Sequence, residues 1–205
     1  MIIAVVGSGG KTTLIKKLAE RYRSEGKTVL VTTTTHMFIE EDTLLTDDAA
    51  VVTHALKKTG YAMAGIPEGE KIRALSKETF DAVCSCADVV LVEADGSKHL
   101  PLKYPNQNEP VIPEGVDEIY VVCGLSAIGQ KARDVCHRLE LVMNCLGIDG
   151  DTVISASHVQ ILVTEGYLKP LTSAYPNAKV TLQPRHDGSV YQRTIASLME
   201  TGQKV

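Results

Sequence analysis

The sequence predicts an α/β fold, three layers deep, in which a mostly parallel β-sheet is flanked by helices. Three observations predict it. Strand-like and helix-like apolar periods alternate along the chain. The first strand, a glycine turn, a helix and a second strand fit within about 30 residues, the span of a right-handed βαβ unit. The 205 residues are 44% hydrophobic yet only 4% aromatic, with no Trp, so the core must be aliphatic. At about 100–200 residues per domain, residues 1–205 are expected to form a single domain.

Each element follows from a local pattern. Ile2 to Val6 is a β-branched run ending at Gly7, with no basic leader or small-residue cleavage site in front of it, and reads as the first strand. Lys11 to Arg23 carries Leu14, Ile15, Leu18, Ala19 and Tyr22 at helical spacing, and Gly26 closes that helix. Thr28 to Thr33 has the composition of a buried strand. Ala50 to Thr53 and Tyr61 to Ile66 read as short strands, Lys77 to Cys86 as a helix, and Asp88 to Glu93 as a central strand. The segment 97–113 is expected to be irregular, because the prolines from Pro101 to Pro113 each remove a donor and restrict the preceding residue. Ile119 to Cys123 resumes as a strand. Helices follow around Ala132 to Leu146 and Val159 to Glu165, with Ser157 as N-cap and Gly166 just past the end of the second. Lys179 to Leu182 is a last strand and Val190 to Met199 a last helix.

Charge excludes some partners. With 21 Lys+Arg against 25 Asp+Glu the net charge is -4, so the basic excess that binds a nucleic-acid backbone or an anionic membrane is missing. Apolar runs such as Val89 to Val92 and Ile161 to Val163 fall far short of the roughly 20 residues that span a bilayer. Neither nucleic acid nor membrane is an expected partner. The five cysteines are odd in number and form no C-x-x-C pair, which points to reduced, mostly buried thiols in a cytoplasmic protein.

The strongest motif is Gly7-Ser8-Gly9-Gly10-Lys11-Thr12-Thr13, set between the first strand and the first helix. Backbone amides of such a loop and of the helix N-terminus form an anion cradle, and glycines let the backbone approach phosphate oxygens. Lys11 is expected to reach the β- and γ-phosphates of a nucleotide as a catalytic group, and the Thr12 hydroxyl to help hold Mg²⁺. The loop is a variant, since the first glycine of G-x-x-x-x-G-K-[ST] falls on Val5. The fold is therefore expected to be a P-loop NTPase-like domain that takes ATP or GTP with Mg²⁺.

Such a site draws a second acid from a neighbouring strand end. In V-V-L-V-E-A-D-G, Glu93 is the expected metal ligand, and Asp95 is expected to orient the attacking water or to support the metal from behind its ligands. An ordinary strand followed by an Asp-Gly turn is the alternative. Thr32 to Thr35 and His36 follow the second strand, where α/β proteins bind ligands. His36 is expected beside the phosphates, sensing the γ-phosphate or binding metal; a Thr-rich strand end with a surface histidine is the competing reading. Arg138 is expected to lean on phosphate as an internal arginine finger or to sit in a salt bridge on an exposed helix.

The residues also resemble known families. G-S-G-G-K-T-T and V-E-A-D-G resemble the phosphate loop and Mg²⁺-holding strand end of the Mur ligases. A closer resemblance, over almost the whole chain, is to the YqeC-type selenium-dependent hydroxylase accessory proteins. It rests on G-S-G-G-K-T-T, on V-T-T-T-T-H at Val31 to His36, and on the block from Glu93 to Pro113. It rests also on C-G-L-S-A-I-G-Q at Cys123 to Gln130, and on His137-Arg138. The resemblance implies a nucleotide-binding protein in the maturation of selenium-dependent molybdenum hydroxylases, with a molybdenum hydroxylase or a cofactor-maturation protein as partner. By position it carries over Lys11, Thr12, His36, Glu93, Asp95, Lys98, Lys103, Glu109, His137 and Arg138. In the segment Leu182 to Asp187 only Asp187 fits an N-K-x-D-like base-reading pattern, so the base stays open between ATP and GTP.

Three further readings stay open beside an NTPase or switch. One is ATP-dependent activation of a small molecule by phosphorylation or acyl-phosphate ligation. Another is a non-hydrolysing nucleotide-binding scaffold. In a third, suggested by the family, Cys86 or Cys136 carries selenium or sulfur as a persulfide-like adduct.

Overall fold

The computed structural model describes residues 1–185. In chain order the elements begin β1 (Ile2–Gly7), α1 (Lys11–Ser24), β2 (Val29–Thr33), β3 (His36–Phe38), β4 (Thr43–Leu45) and α2 (Ala49–Thr59). Next come β5 (Tyr61–Glu68), β6 (Lys71–Arg73), α3 (Lys77–Cys84), β7 (Val89–Glu93), β8 (Leu102–Lys103) and β9 (Glu118–Gly124). The chain goes on through α4 (Ala132–Val135), β10 (Cys136–His137), α5 (Leu139–Leu146), α6 (Ala156–Val163), α7 (Lys169–Ala174) and β11 (Lys179–Arg185). A 3₁₀ turn follows β9 at Leu125–Ala127, and a π turn joins α6 to α7 at Thr164–Leu168. This is an α/β protein with mostly parallel strands flanked by helices.

Two compact units make up the chain. The first comprises Met1–Val5, Thr12–Ala94 and Val111–Asp117. Its strands run in the order β1-β7-β2-β5-β6-β3, with β4 also on β5. Pairs β1/β7, β7/β2, β2/β5 and β4/β5 are parallel, whereas β6 runs antiparallel to β5 and to β3. Every residue of β2 and β7 is buried, as expected of parallel strands covered on both faces. Helix α1 buries Leu14, Ile15, Leu18, Ala19 and Tyr22, the residues at helical spacing in the sequence.

The second unit comprises Val6–Lys11, Asp95–Pro110 and the described residues from Glu118 onward. Here β9 and β11 pair in parallel from Glu118↔Lys179 to Gly124↔Arg185. Strand β8 lies parallel to β10, with Leu102 opposite Cys136 and Lys103 opposite His137. Segment 97–113 is thus irregular except for one two-residue strand.

Several local expectations are corrected. Ala50 to Thr53 is the first turn of α2 and not a strand. Asp48 caps that helix by accepting the Ala50 amide at 2.7 Å, Val52 and Leu56 are buried one turn apart, and Gly60 ends it in the left-handed region at φ 69°. Tertiary burial of an i, i+4 pair overrides the β-branched Val-Val-Thr composition. The helix expected over Ala132 to Leu146 is split, because Cys136 and His137 pair with β8 and Arg138 takes φ 60° before α5 begins. Ser155, not Ser157, caps α6, through a reciprocal box with His158. Gly166 does not end a helix: it lies inside the π turn, where a Cβ would stand 3.0 Å from Pro105 Cδ. The final strand continues to Arg185. The helix expected over Val190 to Met199, and Asp187, fall outside the described residues.

Candidate functional site

In the second unit the glycine loop adopts backbone that side chains resist. Gly7, Gly9 and Gly10 have φ of 87°, 76° and 119°, the region open to glycine. Space is as restrictive as conformation. A Cβ on Gly7 would lie 2.1 Å from the Val122 carbonyl oxygen, and one on Gly9 would lie 2.6 Å from Gly124 Cα. The loop is tied down by the Ser8 amide donating to Val122 O (2.9 Å) and the Ser8 hydroxyl donating to Pro101 O (3.0 Å). The Gly124 amide donates to the same Pro101 oxygen at 3.0 Å. Among the described residues the amides of Gly9 and Gly10 meet no protein acceptor. The buried Lys11 turns its ammonium onto Gly7 O (3.0 Å) and Ser97 Oγ (3.4 Å).

The strand-end acid lies in the first unit. Glu93 closes β7 in register with Val5 of β1, and its Oε2 accepts the Thr12 hydroxyl at 3.1 Å. Thr12 and Thr13 are solvent-exposed in the first turn of α1. Most of the threonine hydroxyls at the end of β2 and just past it are spent on backbone: Thr32 on Ala64 O (2.9 Å), Thr33 on Glu93 O (2.7 Å) and Thr34 on Val111 O (2.6 Å). Thr35 is tied to Thr33, its amide donating to the Thr33 hydroxyl at 2.9 Å. His36 is exposed on β3, which pairs antiparallel with β6, its Nε2 2.5 Å from Glu68 Oε2. No group of three or more His, Cys, Asp or Glu side chains that could hold a metal occurs among the described residues.

Asp95 anchors a buried network in the second unit. Its side chain has no exposed surface; Oδ2 accepts the Gly7 amide (3.1 Å) and the Tyr167 hydroxyl (2.7 Å), and Oδ1 accepts from Lys103. Lys103, equally buried, also reaches Gly96 O (2.6 Å) and Glu109 Oε2 (2.7 Å). Arg138 then grips Glu109 with both prongs, Nε to Oε2 at 3.1 Å and Nη2 to Oε1 at 2.8 Å. Two anions and two cations alternate along this chain of contacts. Burial opposes ionisation of Glu109, but Arg138 and Lys103 outweigh it and hold the carboxyl at about 2. Burial, then the Asp95 carboxylate, raises the Tyr167 phenol well above its usual range, so Tyr167 stays a donor. Burial and the charges of Lys103 and Arg138 lower His137, whose buried Nδ1 has no partner among the described residues.

Tyr167 and Ser97 are residues the sequence did not single out. Nothing in spacing ties position 167 to position 95; only an aromatic with a polar tip in an aromatic-poor chain hints at it. The cysteines depart from expectation too. Only Cys123 and Cys136 are buried, with thiols pushed up by burial to about 12 and about 11, which makes Cys136 a poor nucleophile. Cys86 is partly exposed, and bonds to Thr53 and Ser85 lower its pKa.

Strand β1, the glycine loop and the lysine-led helix α1 follow one another in an α/β protein of mostly parallel strands flanked by helices. The chain belongs to the YqeC protein family, whose profile matches residues 3–140. It is 33% identical over 171 residues to YqeC of Escherichia coli strain K12, a match covering 79% of this chain and 67% of that protein. The crystal structure of FtsY from Mycoplasma mycoides aligns with 98% of this chain and 67% of its own, at 14% identity and a TM-score of 0.34. No helix among the described residues is long and apolar enough to cross a membrane.

Proposed function

We propose that this chain binds ATP or GTP with Mg²⁺ on the loop Gly7 to Thr13 and acts as an NTPase or nucleotide switch. The observation that carries the reading is the loop itself. Three positive-φ glycines place the amides of Gly9 and Gly10, which have no protein acceptor among the described residues, just ahead of a 14-residue helix led by a lysine. Such amides and the helix N-terminus stabilise phosphate oxygens. Lys11, held on Gly7 O and Ser97 Oγ, exchanges those neutral acceptors for the β- and γ-phosphates. Thr12 and Glu93, already 3.1 Å apart, would hold the Mg²⁺, with water and phosphate oxygens completing its shell. The metal, when bound, neutralises charge on the transferring phosphate.

The network changes the roles of two candidates. Asp95 has its acceptors taken by Gly7, Lys103 and Tyr167, so it positions the loop rather than a water. Arg138 serves Glu109 and thereby Lys103. His36 is paired with Glu68 and stands as a surface residue, the competing reading of the Thr-rich strand end.

Calorimetric titration with MgATP and MgGTP tests the reading. The intact chain binds at least one of them saturably and Lys11→Ala loses the binding; equal binding by Lys11→Ala would sink it. We further propose, on the sequence resemblance to selenium-dependent hydroxylase accessory proteins, a place in maturation of a selenium-dependent molybdenum hydroxylase. Deleting the gene should then lower that hydroxylase activity, with rescue by the wild-type chain and none by Lys11→Ala.

A further inference from the structure

We infer that Arg185 is a phosphate-binding side chain of this site, the cationic role that the sequence suggested for Arg138. The inference rests on the nucleotide reading of the Gly7 to Thr13 loop and adds to it a residue beyond the stretch 3–140 matched by the family. Two placements carry it. Strand register sets Arg185 opposite Gly124, and Gly124 Cα lies where a Cβ on Gly9 would fall, 2.6 Å away. Independently, the Arg185 side chain crosses Gly10. A Cβ on Gly10 would stand 3.3 Å from Arg185 Cγ, 3.5 Å from its Cβ and 3.6 Å from its Nε. The guanidinium stem therefore lies against Gly10, whose amide meets no protein acceptor among the described residues.

Arg185 is also available in a way Arg138 is not. Both prongs of Arg138 are closed on Glu109, whereas the side chain of half-buried Arg185 makes no ion pair or hydrogen bond among the described residues. A guanidinium next to a phosphate loop matches phosphate oxygens with two parallel donors, a geometry that lysine does not reproduce. The ligand class is thus the polyphosphate of a nucleotide, and the contact does not depend on the base.

Titration of MgATP, MgGTP and inorganic tripolyphosphate into the wild-type chain, Arg185→Gln, Arg185→Lys and Lys11→Ala tests this. Arg185→Gln should weaken all three ligands about 10-fold or more while leaving the thermal midpoint of the unliganded protein unchanged. Arg185→Lys should recover only part of the loss. A merely structural arginine would instead lower the unliganded midpoint and leave the dissociation constants alone. If Lys11→Ala abolishes binding and Arg185→Gln binds within about twofold of wild type, the Arg185 assignment is overturned and the nucleotide reading stands. If Lys11→Ala binds like wild type, the nucleotide reading falls and takes the assignment with it. Should Arg185→Gln not fold, Arg185→Lys decides, and wild-type affinity in it overturns the assignment.

Discussion

The Tyr167 hydroxyl donates to Oδ2 of Asp95 at 2.7 Å, on the same oxygen that accepts the Gly7 amide at 3.1 Å. A residue of the π turn after α6 thus shares one carboxylate oxygen with the first residue of the glycine loop. Gly166 lets this turn approach Tyr104 and Pro105, since a Cβ there would meet them at 3.0–3.2 Å. Single-turn π segments of this kind recur at functional sites.

Tyr167→Phe removes one donor from a buried carboxylate and is expected to cost about 1–3 kcal/mol. Urea unfolding measures the loss, and amide exchange at Gly7 should speed up because its acceptor is less firmly held. Unchanged stability with unchanged exchange would remove Tyr167 from the loop's support.

Lys103→Met should be more severe. It leaves Asp95, fully buried, and Glu109 without their shared cation, and breaking a buried pair from one side costs about 3–5 kcal/mol. Adding Asp95→Asn should return part of that loss, because the buried charge goes too. A double-mutant cycle with no coupling between the two positions would contradict the network.

The Arg138–Glu109 pair predicts an acid limb. Glu109 has its carboxyl lowered from 4.5 to about 2 in the folded chain, so its stabilisation is complete above the unfolded value and lost as pH falls through the folded one. The stability difference between wild type and Glu109→Gln should be constant at neutral pH and shrink between about pH 4.5 and 2. A difference that stays flat across that window counts against the pairing.

Two glycines with similar backbone should respond differently to alanine. Gly26 has φ 76° and nothing within 4 Å of an added Cβ, so Gly26→Ala carries only the left-handed penalty of about 1–2 kcal/mol. Gly7→Ala adds a 2.1 Å clash with the Val122 carbonyl, and should lose more stability together with nucleotide binding. Parallel thermal unfolding and titration of the two variants compare them directly.

Glu93→Gln keeps the contact with Thr12 but removes the charge that would hold the metal. Nucleotide affinity in the variant is expected to become insensitive to Mg²⁺, matching that of wild type in EDTA. A full Mg²⁺ response in Glu93→Gln would move the metal elsewhere.

What was legible in the sequence was what neighbours in the chain decide. Gly7 to Thr13 is contiguous, its glycines mark the turn, and Leu14, Ile15 and Leu18 mark the helix behind it. Glu93 could be placed because β7 is a short apolar run with an acid at its end. Ala50 to Thr53 was misread because β-branched composition is a local tendency, whereas its helix is set by the Asp48 cap and by burial of Val52 with Leu56.

By itself the sequence determined an aliphatic α/β chain with a phosphate-type loop and an acid on a neighbouring strand. Only the tertiary structure decided which charges are committed. Lys103 is buried between Asp95 and Glu109, Arg138 is closed on Glu109, and Arg185 lies on Gly10. The reason is physical: periodicity and capping act over a few residues along the chain, whereas a charge is satisfied by whatever folding brings within about 3 Å of it.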